Sequence, residues 1–137
     1  MDEYSPASLP QITDVDIVDL KEVRPSQVSQ YIECATNAPL VKIRGIQAER
    51  IADLWRELPT GMQSRCHTPP FGFRFYRDGQ EVCRGSICWD CDNIFGDAAG
   101  KAFHYEFDSR SPAGISLLNE ALQAFGHETF PYDSSSP

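Results

Sequence analysis

No run of apolar residues in this chain approaches the roughly 18 that a bilayer-spanning helix requires, which excludes a transmembrane helix. Basic residues are scarce: 12 Lys and Arg stand against 20 Asp and Glu, a net charge of −8. A phosphate backbone is repelled by that balance, so nucleic acid is not expected as a partner, and neither is a membrane. The first twenty residues, MDEYSPASLPQITDVDIVDL, hold neither a basic n-region nor an apolar h-region, unlike a secretory signal. Nucleophile-elbow, P-loop, HExxH and GxGxxG patterns are all missing, and Gly72, Gly79 and Gly85 read as hairpin glycines rather than a phosphate cradle. Cys66 and His67 adjoin, but neighbours on a strand point to opposite faces and do not make a nucleophile–base dyad. An enzyme is therefore not the expectation.

What is present suits one domain. The chain has 137 residues, of which 41% are hydrophobic, enough for a single core. Five cysteines, an odd number without an export signal, point to the cytoplasm and to free thiols or a metal rather than a disulfide scaffold. Charge is uneven along the chain. Seven acids against two bases give −5 over residues 1–33, eight bases against five acids give +3 over 41–84, and eight acids against two bases give −6 over 85–137. Acidic flanks on a mildly basic middle can fold into one acidic face, which would draw a basic partner by charge.

Hydrophobic periodicity outlines the elements. Residues 1–11 and 128–137 are rich in Pro, Ser and Asp and read as tails around a domain over 12–127. Residues 12–23 open with Asp14 and Asp16 on one side and Val15 and Ile17 on the other, the alternation of a half-buried strand. Val28, Tyr31, Ile32 and Ala35 recur at helical spacing after Pro25, with Cys34 beside them as a core thiol. A short strand at 40–44 precedes a helix at 47–58, whose buried stripe is Ile51, Leu54, Trp55 and Leu58. Asp78-Gly79 is the turn of a hairpin with strands at 71–77 and 80–88. Residues 101–108 read as a further strand, and Ser111-Pro112 opens a last helix buried through Ile115, Leu118, Leu122 and Phe125. The expected fold is α+β: an antiparallel sheet with a central Asp-Gly hairpin and about three helices packed mainly on one face.

The hairpin organises the cysteines. Pairing Arg77 with Gln80 puts Cys91 opposite Cys66, and a bulge, expected at Gly85, puts it opposite His67 instead. Either register gathers Cys66, His67, Cys88 and Cys91 at the open end of the hairpin, while Cys83 faces away from Phe73 and Phe75. Cys88-x2-Cys91 has zinc-knuckle spacing, with Cys66 or His67 as third ligand and His104 as fourth. The same spacing suits redox chemistry, although Asp90 and Asp92 beside Cys91 disfavour a thiolate there. Packed thiols, with His67 satisfied by a local hydrogen bond, are the remaining reading.

Two segments carry a family resemblance: Arg65-Cys66-His67-Thr68-Pro69-Pro70-Phe71-Gly72-Phe73-Arg74-Phe75-Tyr76, then Ile87-Cys88-Trp89-Asp90-Cys91-Asp92-Asn93-Ile94. They resemble a widespread group of small uncharacterised bacterial proteins marked by an RCH-x-P segment, a hairpin and a CW-x-C-x-N-I segment. The likeness covers about residues 58–125. It brings no established activity, but it implies a bacterial origin and that Cys66, His67, Cys88 and Cys91 act as one unit. At the level of class, a small acidic cytoplasmic domain without a catalytic motif looks like an immunity protein that neutralises a bacterial toxin by binding it. The partner would then be a basic toxin domain, met by Asp14, Asp16, Asp19 and Glu22, with Tyr76 and Trp89 as aromatic anchors. The alternatives are a zinc-stabilised domain or a small thiol-dependent enzyme.

Overall fold

A computed structural model describes residues 3–62 and 66–128 of the chain. Strand β1 (Asp14–Asp19) and strand β2 (Leu40–Arg44) are followed by helix α1 (Gly45–Arg56). Strands β3 (Phe71–Arg77), β4 (Gln80–Cys88), β5 (Asn93–Ala98) and β6 (Lys101–Glu106) then lead to helix α2 (Pro112–Ala124). The six strands form one antiparallel sheet in the order β2-β1-β3-β4-β5-β6, so the fold is α+β. No helix among the described residues is long and apolar enough to cross a membrane.

Alternation decides which face is which. Val15 and Ile17 of β1 sit opposite Phe75 and Phe73 of β3, and all four are fully buried with Phe71, Ile87 and Ile94 beneath the two helices. Each buried Phe contributes about 2–3 kcal/mol through apolar area removed from water. α1 adds Ile51, Ala52 and Trp55, all fully buried. α2 packs through Ala113, Gly114, Leu117 and Ala121, one position away from the expected stripe, with Leu118, Leu122 and Phe125 only partly buried. Its start is as expected: Ser111 Oγ accepts from the Gly114 amide at 3.0 Å, with Pro112 in the first turn.

Several expectations are corrected. Among the described residues two α-helices form, not three: the segment carrying Val28, Tyr31, Ile32 and Ala35 is a 3-10 turn (Val28–Gln30) and further turns. It lies over the opposite face of the sheet, where Ile32 and Ala35 join Val18 and Leu20 in a second small core. Cys34 is exposed. The described part of the assigned N-terminal tail packs into the domain: Pro6 and Leu9 are buried, Tyr4 stacks on Phe103 at 3.7 Å, and Arg56 donates to Leu9 O and Pro10 O. Except for Glu128, the assigned C-terminal tail lies outside the described residues, as does Arg65.

The hairpin has the expected strands, and Asp78 (φ 50°) with Gly79 (φ 83°) makes its positive-φ turn. Its bulge is not at Gly85. Tyr76 faces Glu81 but Phe75 faces Cys83, so Val82 is the extra residue and Cys83 shares the face of Phe73 and Phe75. Gly85 instead pairs with Gly96, and Trp55 Cη2 lies 3.0 Å from where a Cβ on Gly85 would stand. The missing side chain at Gly85 leaves room for the indole.

Candidate functional site

Two places gather the residues singled out above. The first is the open end of β1 and β2. Asp14 and Asp16 sit on the face away from the helices, opposite Arg44 and Lys42 of β2. Lys42 Nζ meets Asp16 Oδ1 at 2.8 Å and Asp14 Oδ2 at 3.1 Å, and lies 4.9 Å from the centre of the Tyr76 ring. Asp16 is only 6% exposed, and the ammonium is the partner that its inner oxygen has. Asp14 carries a lowered pKa, caused first by the Thr13 hydroxyl and then by Lys42. Lys42 is held charged by Asp16 above all. Burial raises the pKa of the half-buried Tyr76 phenol.

The other nominated residues lie elsewhere. Asp19 pairs with Lys21 at 3.4 Å at the far end of β1, about one strand length away, near 17 Å. Glu22 is exposed on the loop beyond. Trp89 is a core residue: it is 9% exposed and its Nε1–H donates to Gly114 O at 2.8 Å. Lys42, which sequence reading passed over, is the residue that joins Asp14, Asp16 and Tyr76. Its signal was its place in the middle of a short charged strand that alternates with Val41 and Ile43.

The second place is the far end of the β3–β4 hairpin. Cys66 and Cys91 are joined as a disulfide across a Cα separation of 5.5 Å, which corrects the free-thiol expectation for that pair. Cys66 is exposed, while Cys91 is 1% exposed. Cys88 is a free, fully buried thiol whose sulfur accepts from the Cys91 amide at 3.2 Å and lies 3.8 Å from Thr68 Oγ1.

His67 is buried beside them, and its ring is held at both nitrogens. Asn93 Nδ2 donates to Cys66 O at 2.7 Å, which turns Asn93 Oδ1 toward His67 Nδ1, 2.6 Å away. Nδ1 therefore carries the proton, Nε2 is an acceptor, and the Ser86 hydroxyl 2.8 Å away donates to it. Ser86, His67 and Asn93 thus have the connectivity of a nucleophile, base and orienting group. Ser86 is completely buried, however, so the set acts as an internal polar network in this state. Burial drives the His67 pKa down to about 4, so the imidazole is neutral at pH 7. Tyr31 and Phe95 contact the ring edge-on, and His104 stacks on Phe95 at 4.4 Å.

The four nominated ligands thus do come together, but two of their sulfurs are bonded to each other and both His67 nitrogens have protein partners. His104 faces Phe95. Among the described residues no group of three or more His, Cys, Asp or Glu side chains is arranged so as to hold a metal ion. Asn93 was missed as a partner of His67 because it belongs to β5, the strand that sequence reading left out, and Ser86, on the expected strand β4, carried no signal of its own.

Beside the hairpin turn is a cleft of about 1040 Å³ lined by Tyr4, Leu9, Val82, Cys83 and Phe103 among others. At its base the Tyr4 hydroxyl accepts from Trp55 Nε1–H at 2.9 Å and lies 3.8 Å from Cys83 Sγ. Burial pushes the Cys83 thiol up to about 12 and the Tyr4 phenol higher still, so both stay protonated at neutral pH.

No family model, no curated protein and no solved structure matches this chain.

Proposed function

We propose that the protein works by binding another protein, through the open face formed by β1, β2 and the end of β3. The observation that carries this reading is the meeting of Asp14, Asp16 and Tyr76 around Lys42, residues far apart in sequence. Two carboxylates beside an aromatic ring that already holds an ammonium form a receptor for a cation. A lysine or arginine of a partner finds the same carboxylates and ring edge there, joining Lys42 or displacing it. Leu40, 51% exposed on the same face, adds apolar contact. The net charge of −8 favours a basic partner and raises the rate of encounter.

Among proteins of this size and charge, the class that fits best is the bacterial immunity protein, which blocks a basic toxin domain by covering it. The resemblance of the RCH-x-P and CW-x-C-x-N-I segments to a bacterial group supports the origin. The test is association kinetics with the partner recovered from the native host by a photo-crosslinker placed at Tyr76. A basic protein crosslinked there, whose association slows with added salt and whose affinity falls at least tenfold in Tyr76→Ala, supports the reading. Undiminished affinity in a folded Tyr76→Ala variant would remove its basis.

A further inference from the structure

We propose that Cys66, Cys88 and Cys91 form a thiol–disulfide exchange site in which Cys91 passes between two partners and the released Cys66 reacts with an external disulfide. Three observations carry this. Cys66 is exposed, whereas Cys88 and Cys91 are 0% and 1% exposed, so Cys66 is the one residue of the three that reaches the surface. The resting bond joins that surface residue to Cys91. The Cys88 thiol lies 3.2 Å from the Cys91 amide nitrogen, only three covalent bonds from Cys91 Sγ.

The Cys91 amide on the Cys88 sulfur sets Cys91 rather than Cys66 as the target of that thiol. Cys88 gives up its proton and its sulfur attacks Cys91 Sγ. The Cys88–Cys91 bond forms, the Cys66–Cys91 bond breaks, and Cys66 leaves as a thiolate. No electrons are gained or lost overall. The Cys66 thiolate then attacks an external disulfide RSSR, forming Cys66–SR and releasing RS⁻, which takes up the proton. Two disulfide bonds stand on each side of the reaction and one thiol replaces another, so the exchange needs no further oxidant or reductant. The turn over residues 89–92 brings Cys88 and Cys91 back toward each other, as a Cys-x2-Cys pair requires. The hydrogen bond from the Cys91 amide and the nearby Thr68 hydroxyl place polar groups on the attacking sulfur.

The substrate is a disulfide, on a small molecule or on a protein, and the two sources are separable. Folded wild-type protein is treated with glutathione disulfide in one arm and with a disulfide-linked peptide in the other. Acid quenching, alkylation and peptide mass mapping follow. Cys34, exposed and free, reports ordinary thiol reactivity in the same molecules. The expected result is an adduct on Cys66 accompanied by a Cys88–Cys91 disulfide, with the faster arm identifying the source. In Cys88→Ser, shown to be folded by an unchanged circular dichroism spectrum and melting transition, the Cys66 adduct should fall at least tenfold while the Cys34 adduct is unchanged. A Cys66–Cys91 bond that persists while Cys34 is fully modified would overturn the proposal. So would stoichiometric zinc bound by the reduced protein and protecting Cys88 and Cys91 from alkylation.

Discussion

His67 Nδ1 lies 2.6 Å from Asn93 Oδ1, and that contact fixes the tautomer of a buried ring. Because burial holds the His67 pKa near 4, the unfolded chain takes up a proton in the range between about 6.5 and 4 where the folded chain does not. The stabilisation is fully present above pH 6.5 and is lost as pH falls toward 4. Over that window it amounts to about 3 kcal/mol at most. Urea unfolding of wild type against His67→Gln should show a steeper loss with acid for wild type, and parallel curves would contradict the assignment.

Lys42 neutralises two carboxylates at once. Lys42→Ala leaves Asp16 buried without its cation, and a loss of about 1–3 kcal/mol is expected. Asp14 is more accessible, so Asp14→Asn should cost under about 1 kcal/mol. Equal effects of the two in chemical denaturation would mean that burial of Asp16 is not what matters.

The N-terminal segment is part of the domain. Tyr4→Phe removes the oxygen that accepts from the fully buried Trp55 Nε1–H, and about 1–3 kcal/mol of stability should go with it. Removal of residues 1–10 also uncovers the Leu9 site and frees Arg56 from two carbonyls, so the loss should be larger. A truncated protein with unchanged Tm would return the segment to the status of a tail.

The β5–β6 turn holds Ala99 at φ 52° beside Gly100 at φ 82°. An alanine in the left-handed region costs about 1 kcal/mol, which asparagine tolerates better. Ala99→Asn should therefore raise Tm by a few degrees, whereas Gly79→Val at φ 83° should cost more than about 1 kcal/mol. A drop in Tm for the asparagine variant would show that side-chain conformation at the turn is not limiting.

The elements read most clearly in the sequence are those in which two independent signals agree. β3 and β4 had β-rich runs on both sides of Asp78-Gly79, and α2 had both a cap and a stripe. Residues 93–98 had neither: Gly96 and Asp97 interrupt the alternation, and Gly96 is there because Arg84 O and the Phe103 ring leave no room for a Cβ. The stripe from Val28 to Ala35 was half right, since Ile32 and Ala35 are buried. Their contact is with Leu20 and Gly72 across a short connection rather than along a helix. At the cysteine site the gathering was legible from register, but the bond between Cys66 and Cys91 was not. Register brings sulfurs near each other without saying which two are joined.

Strand order has a consequence for how the chain is made. From β3 to β6 each strand pairs with its neighbour in sequence, but β1 needs both β2 and β3, with Asp14 opposite Tyr76 nearly half the chain away. During synthesis β1 and β2 emerge first, as a two-stranded ribbon too small to be stable alone. Until β3 arrives, Val15 and Ile17 stay uncovered beside an open strand edge, a template for wrong pairing between nascent chains. A strand enclosed on both edges in the finished sheet thus waits more than fifty residues for its second neighbour, and the yield of native protein should depend on how fast the ribosome delivers residues 71–77.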